Sequence, residues 1–329
     1  MRMMETSGAE IAAVFAAFPA REVDNLEALS RLCPEKAGAI VKTTGIARRR
    51  IAAEGVTPVD LCVSAARCAM ESCGVGVDDV AVVVFVSFTN PARMPCGAAA
   101  AQAALGLGSS VAAFDLSLAC SGYVYALSVA SMFAQKTGGA VLLLDGDVQS
   151  VFVDQADVAT AAVLADAGSA TIVRPAVGAQ PWKFSFATYG GKGSALQLGP
   201  DGKIKMDGFG VFRFAAEEVT ALLRGFLAEG AFSPESFDAF VPHQPNAYMV
   251  RELARSVGFS ADRTWLSCDK VGNASSASIP AAIALNAPSC LGGRGGRLAL
   301  CGFGGGLSAA AAAVSTCDGC TFGTVEYGK

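Results

Sequence analysis

Three stretches of the chain are apolar at every position: Val80–Val86, Ala140–Leu144 and Leu298–Leu300. A strand without polar alternation is buried on both faces, and a sheet buried on both faces is one covered by helices on either side. Helical patterns lie between these runs. Val59–Ser72 places Leu61, Ala65, Ala69 and Ser72 on one face. Ser121–Lys136 does the same with Val124, Leu127, Ser128, Ser131 and Met132, and Gly138-Gly139 supplies the stop. Strand and helix alternate, so the expected class is α/β. The apolar runs are far shorter than the ~20 residues that span a bilayer. The mean hydropathy of +0.44 therefore belongs to an Ala-rich core, and no membrane partner is expected.

At 329 residues the chain has room for about two domains of ~150 residues each. A loop-like stretch with Pro175, Gly178 and Pro181 follows the strand Ala170–Val173. It is the expected joint, dividing the chain near Arg174 into residues 1–174 and 175–329. Ala309–Ala313 is the one low-complexity piece, short enough to be a tightly packed element.

Charge and cysteine usage exclude whole classes of function. Lys and Arg number 25 against 29 Asp and Glu, a net charge of −4 with no basic stripe to neutralise a phosphate backbone, so nucleic acid is not an expected partner. The apolar stretch Ile11–Phe18 is flanked by Glu5 and Glu10 and leads into no long export signal. Eleven cysteines, an odd number, then read as reduced thiols in a cytoplasmic protein. Cys317 and Cys320 form a C-x-x-C pair, but no second pair has ligand spacing, so no metal is expected and the two read as structural or disordered. The only histidine is His243, which removes any chemistry that needs two imidazoles.

Four segments place chemistry-bearing residues at strand ends. In Phe114–Tyr123 a short apolar strand turns into a helix at Cys120. There the positive end of the helix dipole lowers a thiol pKa and makes a nucleophile, although a buried structural cysteine has the same look. Phe237–Asn246 is a strand ending in His243 before a helix closed by Gly258. That is where α/β proteins place ligands, and also where an ordinary hydrogen-bonded histidine fits. Asn273, in Lys270–Pro280, precedes a helix of small residues and reads alone as a cap or turn residue. Leu300–Ser308 ends a strand in Gly304-Gly305-Gly306, whose N–H groups can approach a ligand closely. It lacks the βαβ context of a dinucleotide fingerprint, and Gly190–Ser194 lacks the spacing of a phosphate loop.

Taken together, a thiol, an imidazole, a carboxamide and a Gly-rich turn in this order resemble the β-ketoacyl-acyl-carrier-protein synthase III group of the thiolase superfamily. The resemblance is carried by Thr44-Gly45-Ile46 with Arg48–Arg50, Ala119–Gly122, Val241–Gln244, Gly272–Ser275 and Gly302–Gly306. Asp166–Ala170, Lys205–Gly208 and Val211–Phe214 add to it, over about Ile11 to Val314. It implies a thiolase-like five-layer αβαβα sandwich of two related halves, usually a homodimer. The N-terminal half would carry the nucleophile Cys120 and the C-terminal half His243 and Asn273.

The resemblance also implies roles. Cys120 would take an acyl group from a thioester. His243 and Asn273 would hydrogen-bond the thioester oxygen of a malonyl-type extender as it decarboxylates. The N–H groups of Cys120 and Gly305 would form the oxyanion hole. Met94 and Phe303 would line the substrate pocket, Met94 reaching the partner subunit's acyl site. No cofactor is implied, since the substrates are coenzyme A or acyl-carrier-protein thioesters, and acyl carrier protein or acyl-coenzyme A is the expected partner. Where initiating members clamp adenine with an aromatic residue and an Arg, this chain has Ala39 and Thr43. At the Arg of the carrier-protein docking surface it has Tyr248, with Arg251 and Arg255 on the same predicted helix. The expected activity is decarboxylative condensation in fatty-acid or polyketide-like biosynthesis. A non-condensing acyltransferase and an inactive partner subunit of a heterodimeric synthase are the alternatives.

Overall fold

Two β-sheets share one long strand, and that strand sets the architecture. The computed structural model describes residues 2–328. In chain order the strands are β1 (Met3–Thr6), β2 (Ala9–Pro19), β3 (Glu22–Asp24), β4 (Arg48–Arg50), β5 (Val80–Val86), β6 (Ala112–Leu116) and β7 (Ala140–Asp147). They continue with β8 (Ala167–Pro175), β9 (Trp182–Thr188), β10 (Leu196–Leu198), β11 (Ile204–Met206), β12 (Ala239–Pro242), β13 (Arg297–Gly304) and β14 (Ser308–Tyr327). The first part of β14 lies between β9 and β13, both antiparallel to it. From Thr316 it pairs in parallel with β2, after which the order runs β8, β7, β5, β6.

Helices fill the remaining layers. The helix Pro58–Cys73 covers β2 and β8 from outside. Gly122–Thr137 and Ser278–Cys290 are sandwiched between the sheets, and Thr220–Glu229 covers β9 and β14 on the far side. The result is the five-layer αβαβα sandwich. Ala309–Ala313 shows why the layers close so tightly. Strand alternation sends Ala310 and Ala312 into the central core and Ala309, Ala311 and Ala313 into the outer C-terminal core. Methyl groups on both faces let helices approach from either side.

Arg174, near which the joint is expected, lies within β8, and residues 176–181 lead to β9. Each segment lends a strand to the other: β1 pairs with β9, and the end of β14 pairs with β2. Met1 and Lys329, the outermost bounds of the two expected segments, lie outside the described residues. Among the described residues no helix is long and apolar enough to cross a membrane.

Local chemistry sets several element ends. Thr57 caps Pro58–Cys73 by accepting the Asp60 N–H at 3.2 Å, while Asp60 accepts the Thr57 N–H at 2.9 Å. Gly74 closes it in the left-handed conformation. The apolar run at Ala140 ends at Leu144, yet the strand continues to Asp147, because Asp145 and Asp147 are themselves buried. Likewise Leu298–Leu300 lies in the first half of a strand that begins at Arg297 and reaches Gly304. Cys317 and Cys320 are ordered, buried in the bulge where β14 changes partners.

Candidate active site

The end of β6, the loop after β12 and the end of β13 converge on one cavity. Residues 117–121 turn β6 into the helix Gly122–Thr137, leaving Cys120 buried just before its first turn. The end of β13 presses against this turn so closely that it tolerates no side chain. A Cβ on Gly302 would stand 2.9 Å from the Ser121 Cα, and one on Gly304 (φ +151°) would stand 2.8 Å from the Cys120 Cβ. The hydroxyls of Ser121 and Ser308, 2.8 Å apart, tie the helix start to the glycine turn.

His243 follows β12, which runs parallel to β13, and its N–H donates to the Cys301 carbonyl at 2.7 Å. Its Nδ1 is 2.7 Å from the Ser278 Oγ, and the Ser278 hydroxyl donates to the Ser275 carbonyl at 2.8 Å. The network assigns the tautomer. The single Ser278 proton is committed to Ser275, so Nδ1–H donates to Ser278 and the Nε2 lone pair is left for the cavity. Phe303 packs edge-on against the imidazole, with ring centroids 5.3 Å apart.

Asn273 is clamped through its backbone. Its N–H donates to the Val163 carbonyl at 2.8 Å, and its carbonyl accepts from the Ala165 N–H at 2.9 Å and from the Gln149 amide. Its Oδ1 accepts the Ser275 N–H at 3.0 Å, which leaves the Nδ2 donors for a ligand. Ser276 donates its N–H and hydroxyl to buried Asp147, anchoring the turn from below.

Cys120, His243, Asn273, Ser275, Phe303 and Gly304–Gly306 line a cavity of about 300 Å³. Its upper walls are apolar, with Leu196, Leu198, Ile204 and Met206 from the β10–β11 hairpin and Phe88, Leu118 and Leu164 from the other half. The pairing of a buried apolar chamber with a few converging polar groups suits an acyl thioester.

Electrostatics overturns one expectation. Burial pushes the Cys120 thiol up to about 12, and the Asp147 charge adds to this. The Ser275 hydroxyl and the N–H groups of Cys120 and Gly305 pull the other way without prevailing. The helix N-terminus therefore does not leave a resting thiolate, because desolvation outweighs it. Burial also pushes His243 down to about 3, so the imidazole is neutral at rest.

The residues expected at the site divide clearly. Cys120, His243, Asn273, Gly305 and Phe303 meet at the cavity. Met94 does not line it and is 92% exposed. Ala39 and Thr43 lie one turn apart on the exposed side of the helix Ala37–Thr44. Tyr248 stacks on Phe212 at 6.1 Å, with exposed Arg251 and Arg255 on the same helix. Among the described residues no group of three or more His, Cys, Asp or Glu is arranged to hold a metal. Sequence reasoning missed the parts played by Ser275, Ser278 and Gln149 and by the β10–β11 hairpin. The serine-rich turn after Asn273 was the one available signal.

Comparison with known proteins agrees with this arrangement. Residues 114–191 match the family model for 3-oxoacyl-[acyl-carrier-protein] synthase III, and residues 227–316 match its C-terminal model. Beta-ketoacyl-[acyl-carrier-protein] synthase III 2 of Streptomyces coelicolor is 35% identical over 94% of this chain and 94% of its own length. A 3-oxoacyl-(acyl-carrier-protein) synthase from Burkholderia xenovorans superposes with a TM-score of 0.95 at 30% identity, covering 99% of both chains. The priming β-ketosynthase of the R1128 polyketide pathway gives 0.88 at 29% identity, over 97% of this chain and 99% of that one. With its thiol, imidazole and carboxamide gathered in a thiolase-like fold, the chain belongs to the β-ketoacyl-[acyl-carrier-protein] synthase III family of condensing enzymes.

Proposed function

We propose that the protein starts an acyl chain: Cys120 takes an acyl group from a thioester, and a malonyl thioester then decarboxylates and displaces it. The observation that carries this is the convergence of Cys120, His243 and Asn273 on an apolar chamber that Gly305 also lines.

In acyl transfer the His243 Nε2 accepts the thiol proton as sulfur attacks the thioester carbonyl. The two N–H groups hold the resulting oxyanion, and the proton passes to the departing thiol. For condensation His243 takes up one proton from solvent as the malonyl carboxylate binds, and Nε2–H joins the Asn273 Nδ2–H on the malonyl thioester oxygen. Carbon dioxide leaves, and the enolate carbon attacks the acyl-Cys120 carbonyl. The carbon–sulfur bond breaks, and His243 returns its proton to the thiolate. An imidazolium is costly in a buried site, so it forms only alongside the anion it stabilises.

The finer reading concerns delivery and assembly. Ala39 and Thr43 offer neither a stacking ring nor a cation to an adenine, which favours delivery on a carrier protein. Docking would use Tyr248 with Arg251 and Arg255. The exposed Met94 and the edge position of β6 suit a cytoplasmic homodimer in which Met94 enters the neighbouring acyl site. The test is incubation with a panel of acyl-coenzyme A and acyl-carrier-protein donors, read by intact mass beside Cys120→Ala. Acyl mass on the wild type alone supports the reading. Loading on the variant, or on neither protein from any donor, contradicts it.

A further inference from the structure

The turn after Asn273 contains three serines whose work differs. Ser276 anchors the turn to Asp147, and Ser278 fixes the His243 tautomer. Ser275 faces the nucleophile: its Oγ lies 3.8 Å from the Cys120 Sγ, and both side chains are buried. It holds this place at φ +51°, in the left-handed region that a non-glycine residue occupies only at a cost. Beside it, the Ser276 hydroxyl donates to the buried Asp147 carboxylate at 2.8 Å. Ser275 thus sets a hydroxyl against a buried thiol that must become an anion.

We propose that Ser275 is a catalytic residue, whose hydroxyl turns its proton onto the Cys120 sulfur as the thiolate forms. This deepens the reading of Cys120 as the nucleophile and rests on it. In the resting enzyme the thiol donates to the Ser275 Oγ and the serine proton points away from the sulfur. When His243 takes the thiol proton, the Ser275 O–H rotates onto sulfur. No bond other than hydrogen bonds changes at Ser275, and no further reactant is needed. The backbone N–H of the same residue meanwhile holds the Asn273 Oδ1, so one strained position serves both the nucleophile and the enolate donor.

The test needs no acyl donor, which keeps its failure distinct from failure of the proposed function. Iodoacetamide alkylation of Cys120 is followed between pH 7 and 9 by peptide mass spectrometry in wild type, Ser275→Ala and Ser275→Gly. Glycine relieves the backbone strain at φ +51°, so it reports even if the alanine variant folds poorly. The expected result is a rate about tenfold lower at every pH in both variants, as for loss of a hydrogen bond to a charged group. Merely loosening the turn would expose the thiol and speed alkylation. Rates within twofold of wild type, or faster, overturn the proposal. Where an acyl donor loads, kcat for loading falls in both variants while KM stays within twofold, and a change in KM alone also overturns it.

Discussion

Replacing Gly304 with alanine puts a methyl group where the nucleophile already stands. The added Cβ would lie 2.8 Å from the Cys120 Cβ and 3.1 Å from its Sγ. Carbon atoms in contact sit ~3.5–4.0 Å apart, so the overlap is about 1 Å. A Cys120 rotamer change moves only the sulfur, so the turn Gly304–Gly306 must itself retreat and carry the Gly305 N–H with it. A displacement of about 1 Å in a catalytic group costs on the order of a hundredfold. Losing an oxyanion donor costs about the same or more. The φ of +151° adds backbone strain of about 1–3 kcal/mol. At roughly 2 °C per kcal/mol for a chain of this size, that lowers Tm by about 2–6 °C. Single-turnover acyl loading by intact mass and a thermal melt measure the two effects. Gly190→Ala, where nothing lies within 4 Å of the added Cβ, is the control and stays within twofold of wild type. Loading by Gly304→Ala within threefold of wild type would refute the reasoning.

Three further outcomes are expected. Asp145 is buried with both carboxylate oxygens unpartnered, and burial followed by the Asp147 charge raises its pKa well above the carboxylate range. Its contribution to stability is therefore complete below the unfolded value of about 3.9 and declines as pH rises through the folded one. Asp145→Val removes this penalty, stabilising by about 2 kcal/mol at pH 7 and flattening the pH dependence in denaturant titrations; an unchanged or lower midpoint contradicts this. Since His243 sits at about 3, acyl loading shows no imidazole limb between pH 5 and 8, and a midpoint near 6.5 in the pH–rate profile would show that burial does not govern the ring. Ser278→Ala frees the tautomer that exposes the Nε2 lone pair, so loading slows at least about tenfold while Tm shifts little; equal rates would show that the 2.7 Å contact is structural only.

How far the sequence led varies with the kind of interaction. Val80–Val86 forms a strand over those residues because its signal is local burial. The run at Ala140 misplaced the strand end, since a carboxylate reads as a surface group until the fold buries it, as it buries Asp145 without partners and Asp147 beside Ser87, Thr89 and Ser276. Cys120 and His243 stood out as polar residues at strand ends, whereas Asn273, expected at a third, follows the short helix Cys268–Val271; the fold brings the three together from separate segments. The direction of the Cys120 shift was not legible, because a helix terminus is visible in sequence whereas desolvation depends on what closes over the thiol. Ser275 and Ser278 passed as turn residues for a similar reason: their partners are 155 and 35 positions away along the chain.

The central claim is that acyl-Cys120 is discharged by a carbanion formed within the same cavity. Enzyme loaded to completion, freed of donor and mixed with malonyl carrier protein, tests it directly when acyl-enzyme loss and carbon dioxide release are followed together. The account predicts one carbon dioxide and one ketoacyl product for each acyl group lost, and release of neither by Asn273→Ala at comparable rates. Acyl loss to water, a hydroxyl or an amine without carbon dioxide would contradict it.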